Sequence, residues 1–383
     1  MPGKNKKWKD PMFTSRSDES QPRARTFTRW MVFAVMVVTC LLLAYGSWQG
    51  LKNIQNYQQL PLLIRLIFVL CLGVGGFGLS FFILVRAVEQ LPENIQNRIT
   101  PVLFIGPATA LIFWVLVIPL FRTIWMSFLN AKGVDWAGLK NYIFVFTDSS
   151  MLNSFRNNLL WLLLGSGGCI LLGLLIAFLT DHTNSRFSSI VQSLIFMPMA
   201  ISMVGASVIW RFVYAFVPAG YEQIGLLNAI LVQLGREPQA FLMDKGVNNL
   251  LLIVVFIWLQ TGLPLVIFSA AIKTIPDEII EASRIDGANE WQIVTQISIP
   301  YLRNTILAVA TMVIVFTLKV FDVVYVMTGG NYGTETIANQ FYFEMFRKFN
   351  YGHGSAIVVL LVVLILPVVA YNLRRYQETL ELK

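Results

Sequence analysis

Glu281-Ala-Ser-Arg-Ile-Asp-Gly-Ala288, followed by eleven residues and then Pro300, is the stretch on which the reading of this 383-residue chain turns. It lies in a polar, charged segment, residues 273–303, held between two long apolar runs. Charged groups in hydrocarbon lose their water at high cost, so the segment sits in water and meets something there.

The apolar runs on either side belong to a set. A bilayer span takes about 20 predominantly apolar residues, and eight runs qualify, near 30–48, 61–86, 101–126, 158–180, 189–213, 249–272, 304–327 and 354–373. The composition agrees: 56% of residues are hydrophobic, 13% are charged and the mean hydropathy is +0.64. A soluble chain carries about a quarter charged residues. The sequence therefore reads as an all-α membrane protein of about eight transmembrane helices, rich in Phe and Trp for lipid-facing and interfacial positions. Cys40, Cys71 and Cys169 all fall inside apolar runs and read as small buried hydrophobes, not as a disulfide or metal framework. His182 and His353 flank spans without the spacing that metal ligation or catalysis needs.

The net charge of +8 does not point to nucleic acid, because residues 1–29 hold eight Lys/Arg against three acidic residues. That Pro/Ser-rich tail has no apolar periodicity and is expected to be disordered. It reads either as a contact for anionic membrane lipid or as a topology signal. The first apolar run is long and lacks a small-residue cleavage site, so it reads as a retained signal-anchor. With eight spans, Lys and Arg favour the termini and the even gaps, mainly through the two ends, which places both termini in the cytoplasm. The same topology puts 273–303 inside and the loops 127–157, 214–248 and 328–353 outside.

Pro119, Pro198, Pro264 and Pro367 lie within spans, where each frees a backbone carbonyl and can kink the helix. Lys319 and Asp322 stand one turn apart in the seventh run. They read either as contacts for a polar solute or as a pair that neutralises itself, with Lys319 snorkelling outward. No inverted repeat with matching broken segments is visible, which counts against a repeat-built secondary transporter.

Within 276–302 the residues read as two short helices meeting at a turn. Pro276 suits a first helical turn, and Asp277, Glu278 and Glu281 favour the N-terminal end. Asp286-Gly287 is a turn signal, after which helical spacing resumes through Trp291, Val294, Ile297 and Ser298. A small helical corner with an exposed Trp and an acidic rim suits docking into a groove of another protein; the other reading is an amphipathic loop lying on the membrane surface.

Glu281-Ala282, Asp286-Gly287-Ala288, Ile297 and Pro300 resemble the signature of membrane subunits of ATP-binding-cassette (ABC) importers, in order and in spacing. Ser283 stands where a second Ala is usual, and Ile299 where Leu is usual. The resemblance implies a type I ABC importer permease core whose cytoplasmic coupling helix, carrying Glu281, Ala282, Asp286, Gly287 and Ala288, sits in a cleft of an ATPase subunit. Phe321-Asp-Val-Val-Tyr-Val-Met-Thr-Gly-Gly330, Thr334-Glu335-Thr336 and Tyr342 are similar to carbohydrate-importer permeases, as are Phe196-Met-Pro198, Ile209-Trp210 and Asn157-Asn158. The span count and the register from Leu251 to Gly330 resemble the larger membrane subunit of maltose transporters, without its large external domain. By that alignment the solute cavity falls on Phe256, Leu259, Gln260, Leu263, Val313, Phe316, Thr317 and Val320. Several of these are apolar where the family has polar residues, and ordinary packing accounts for them equally well.

The expected organisation is a tail at 1–29, two additional spans and a linker at 30–99, and a six-span permease domain at 100–377 that contains the coupling segment 274–302. The chain has no Walker A sequence and no nucleophile–base set. It is expected to be no enzyme and to hold no cofactor, with ATP and Mg on partner ATPases. The resemblance further implies a second, unlike permease subunit, an extracytoplasmic solute-binding protein and a bacterial plasma membrane. The expected cargo is a sugar or sugar-like compatible solute; a polyol or a phosphodiester, or an ATP-independent secondary transporter, are the alternatives.

Overall fold

The computed structural model of the chain describes residues 21–53, 61–181 and 183–381. Residues 1–20 of the basic tail, and His182, lie outside the described residues. Residues 21–29 are not irregular as expected but form the start of helix α1 (Gln21–Asn53). Once the apolar run is helical, each added residue gains a hydrogen bond without a new nucleation step.

Among the described residues the only extended pairing is an isolated antiparallel bridge between Leu129 and Trp136. The remaining elements are α2 (Leu62–Val88), α3 (Glu93–Met126), α4 (Lys140–Thr147), α5 (Ser149–Asp181), α6 (Ser185–Ala200), α7 (Met203–Val213) and α8 (Leu226–Gln233). They continue with α9 (Asn248–Gln260), α10 (Gly262–Ile272), α11 (Asp277–Ile285), α12 (residues 290–301), α13 (Arg303–Leu318), α14 (Asp322–Met327), α15 (Ile337–Tyr342) and α16 (Tyr351–Glu381). Among the described residues six helices are individually long and apolar enough to cross a membrane, and counting each of two bent pairs as one span gives eight. All eight apolar runs are therefore helical.

Two runs are not straight. The fifth is broken by 98° between α6 and α7. Pro198 shifts the end of α6 into a 3-10 turn, Ile201 is extended, and the Ser202 hydroxyl accepts from the Gly205 amide to start α7 afresh. The sixth bends by 45° between α9 and α10, where the Thr261 hydroxyl bonds back to the Ile257 carbonyl at 2.6 Å and Pro264 follows. In the seventh, α13 stops at Leu318 and α14 restarts at Asp322. Lys319 and Asp322 lie on opposite sides of that break and do not form the ion pair that their spacing suggested.

The chain divides into two compact units, Met1–Ile118 and Pro119–Lys383. In the first, small residues let α1 and α2 approach closely. Cys40 Sγ donates to the Ser80 carbonyl at 3.3 Å, and a Cβ on Gly76 would collide with Ser47. Between helices in lipid there is no water to exclude, so close packing of this kind is what holds them together. Leu41, Trp48, Leu63 and Phe77 face outward, as does the apolar face carrying Cys71, which is exposed, not buried.

The core of the second unit is built from α5, α9, α10 and α13 around Trp161, Phe256, Leu259, Leu265, Phe268 and Val313. α5 and α10 approach closely at Gly173, where a Cβ would stand 2.7 Å from Pro264 Cβ and 3.1 Å from the Leu265 amide nitrogen. A smaller cluster of Val145, Met151, Ile337 and Ile357 ties α4, the start of α5, α15 and α16 together.

Candidate functional site

The polar corner begins where α10 ends. Pro276 precedes α11, Asp277 and Glu278 occupy its first turn, and Arg284 its last; each sign of charge stands at the end of the helix dipole that favours it. Gly287 has φ +87°, a backbone region that L side chains resist. Its amide donates to the Arg284 carbonyl, and that of Ala288 to Ser283, closing the helix end as glycine caps do. Asn289 then opens α12 with a reciprocal capping box to Gln292, and Arg284 forks onto Glu290 Oε1 through Nε and Nη2 at 3.2 and 3.0 Å.

This local chemistry aims the corner outward. Glu281, Ala282, Asp286 and Gly287 are exposed and Ala288 is half-buried. Two large apolar side chains stand at the tip, Ile285 at 85% and Trp291 at 74% exposure. Ser283, the departure from the signature, is buried and turns its hydroxyl to the Ile280 carbonyl, so the small-residue requirement is met. Behind the corner lies a cavity of about 470 Å³, lined by Asp181, Lys273, Asp277, Arg284 and the apolar Ile280 and Ile293. Ile285 drew no attention in the sequence; an isoleucine within an otherwise polar segment was the available signal.

The eight residues aligned to a solute cavity divide differently. Phe256, Leu259, Val313 and Val320 are buried in the core, and Phe256 meets Trp161 edge-on with ring centroids 5.5 Å apart. Thr317 is fully buried, accepting from the Ser166 hydroxyl at 2.9 Å and donating to the Val313 carbonyl. Gln260 and Leu263 are half-buried, and Phe316 is exposed.

Past the far end of α13, a set of asparagines holds the Thr-Gly-Gly loop. Asn158 donates to the Leu318 carbonyl at 3.0 Å and accepts from the Ile337 amide at 2.9 Å. Asn157 donates to the Gly333 and Glu335 carbonyls, and Asn248 to that of Tyr332. These amides supply the partners that the loop's buried backbone groups need, which explains the Asn157-Asn158 pair in the sequence. Nearby, Glu344 is 1% exposed and receives Lys348 Nζ at 2.7 Å, with His353 Nδ1 at 3.1 Å. Burial pushes its carboxyl up, but the bonds from His353 and Lys348 outweigh this and leave it below the usual glutamate range. His353, stacked on Phe144 at 3.8 Å, is thus a structural partner.

The profile of the family described as "binding-protein-dependent transport system inner membrane component" matches residues 169–380. The chain belongs to this family. The permease is similar to the osmoprotective compounds uptake permease protein GgtC of Synechocystis sp., with 52% identity over 73% of this chain and 100% of the relative. It is also similar to the alpha-glucoside transport system permease protein AglF of Rhizobium meliloti, with 45% identity over 75% of this chain and 85% of the relative. Among solved structures, a permease chain of a bacterial ABC transporter involved in the import of the acidic polysaccharide alginate shares the fold, with TM-score 0.63 and 22% identity over 75% of this chain and 98% of that one. The permease is thus a multi-pass membrane subunit of the ABC importer class with a type I importer fold, and permease subunits of this family are not themselves enzymes.

Proposed function

We propose that this permease carries a sugar or sugar-like compatible solute across a bacterial plasma membrane by alternating access, driven by ATP and Mg bound on separate cytoplasmic ATPase subunits. The observation that carries the reading is the corner itself. Glu281, Ala282, Asp286, Gly287 and Ala288 form a rigid capped turn that presents Ile285 and Trp291 bare to water. An exposed apolar pair on an ordered helix end, rimmed by Glu281, Asp286 and Glu290, has the form of a helix-in-groove anchor.

The orientation follows: the corner and both termini face the cytoplasm, and the Thr-Gly-Gly loop faces outward toward a solute-binding protein. The cargo class is supported by the printed roles of the relatives, one for osmoprotective compounds and one for alpha-glucosides. Phe256, Leu259, Gln260, Leu263, Val313, Phe316, Thr317 and Val320 border the path in this reading. The burial of five of them in an apolar core favours an unlike second permease as supplier of the polar half.

The test is co-purification with the cognate ATPase. Ile285→Asp and Trp291→Ala alter only exposed side chains and should leave membrane insertion and unfolding temperature unchanged while cutting ATPase recovery by about tenfold, equivalent to about 1.4 kcal/mol. Gly287→Pro should do the same more severely, since proline fixes φ near −65° and has no N–H. ATPase recovery at the wild-type level in all three would refute the assignment.

A further inference from the structure

A second cavity, of about 540 Å³, opens beside the Thr-Gly-Gly loop, and it shares no residue with the eight aligned positions. Arg211 at the end of α7, Tyr325 of α14, Asn331 of the loop, Asn339 and Tyr342 of α15, and Arg347 line it. Asn339 is only 5% exposed. Its backbone amide bonds to Thr336 Oγ1, but its side-chain amide has no hydrogen-bond partner among the described residues. Asn157, Asn158 and Asn248, buried in the same region, all spend theirs on backbone. The Asn339 amide stands at the cavity wall with no such partner, so both its donor and its acceptor are open to a ligand there.

The surroundings define what would satisfy it. Tyr325 and Tyr342 meet at 66° with centroids 4.8 Å apart, and Phe321 stacks on Tyr325. Their hydroxyls lie 3.2 Å apart, and Arg347 reaches Tyr325 Oη at 3.5 Å. Among the described residues neither Arg211 nor Arg347 has an ion-pair partner, and no carboxylate lines the cavity. Gly330 (φ +79°) lies against Asn339 Oδ1, where any Cβ would collide with the amide, so the glycine of the motif holds Asn339 at the cavity wall. Aromatic faces, amides and forked guanidinium donors together suit a ligand with apolar C–H faces and many hydroxyls. The volume falls within the roughly 300–1,000 Å³ usual for small-molecule sites.

The geometry points to a subsite for a neutral polyhydroxylated solute, a glycoside or a polyol, at the Thr-Gly-Gly end of the permease, with Asn339 as its central hydrogen-bonding group. The inference rests on the sugar reading above and adds where the solute is first held by this subunit. Asn331, already bonded to the Thr328 carbonyl, shapes the rim, while Asn339, Arg211 and the Arg347 N–H groups not spent on Tyr325 are available to engage hydroxyls.

The test uses the assembled importer with its binding protein in proteoliposomes, and radiolabelled trehalose, sucrose and sorbitol, with glycine betaine as a hydroxyl-free osmolyte. Asn339→Leu, which keeps volume but removes the amide, and Arg347→Gln, at an exposed position, should each lower solute moved per ATP hydrolysed by about tenfold. Saturation-transfer NMR of the detergent-solubilised complex without binding protein should show trehalose contact that both variants lose. Wild-type values for both variants would overturn the subsite and leave the sugar reading standing. A loss of ATPase stimulation in proportion to uptake would mark a protein-docking face and overturn it too. Wild-type uptake of glycine betaine alone would overturn the sugar reading and the subsite together.

Discussion

Replacing Asn158 tests the architecture at its most connected polar residue. Its amide joins three elements, donating to the Leu318 carbonyl that α13 leaves unpaired at its end and accepting from the Ile337 amide in the first turn of α15. Asn158, Leu318 and Ile337 are 3%, 5% and 1% exposed, so neither backbone group can turn to water when the side chain is removed. Each orphaned group costs about 1–3 kcal/mol, which sums to roughly 2–6 kcal/mol for Asn158→Leu. For a unit of this size that is a fall in unfolding temperature of roughly 5–15 °C, measured by intrinsic tryptophan fluorescence of the permease in nanodiscs at one fixed scan rate. Asn158→Ala should fall by a similar amount, because the hydrogen bonds and not the volume dominate. If Leu is neutral while Ala is strongly destabilising, the site is a packing site and the reasoning fails.

Other outcomes follow from single contacts. Gly173→Ala forces a methyl into Pro264 and the Leu265 amide, so α5 and α10 must separate. A loss of about 1–3 kcal/mol should appear as lower yield of folded protein on size-exclusion chromatography, and Gly167→Ala, with open space around it, should not show it. Glu344 titrates below the ordinary value of 4.5; a group depressed on folding stabilises above its unfolded pKa and loses that contribution as pH falls through the folded one. The unfolding temperature should therefore drop as pH falls below about 4.5, and Glu344→Gln should be less stable at neutral pH with a gap that closes in acid. Arg284→Ala, by contrast, breaks an exposed ion pair and should move stability by no more than about 0.5 kcal/mol; a larger fall would mean that the pair holds the corner together.

Much of this was legible in the chain because it rests on local chemistry. The eight runs are set by length and hydropathy alone, and the corner by Pro276 and Asp286-Gly287, each of which acts within a few residues of itself. The break at Ile201 was less legible. Pro198 marked the place, but whether a proline kinks a span or ends it depends on whether a capping group follows, here Ser202. Phe256 and Val313 could be placed on the sixth and seventh runs but not facing into the core, since an apolar residue in lipid has no solvent to flee and its pattern carries little directional information. The unpartnered amide of Asn339 is visible only once the chain is folded, because its neighbours in space come from α7, α14 and the loop.

The wide π turn within α5, Trp161–Ser166, sets the phase between two halves of one helix. Ahead of it, Asn157 and Asn158 face the Thr-Gly-Gly loop; beyond it, Cys169 and Gly173 face the core and α10. An α-helix turns by about 100° per residue, so removing one residue from this turn would rotate the second half by about that angle. Asn158 could then keep its partners or Gly173 its seat against Pro264, but not both. A looser coil at one point thus lets a single rod serve two layers, and its length is as constrained as any side chain it aligns.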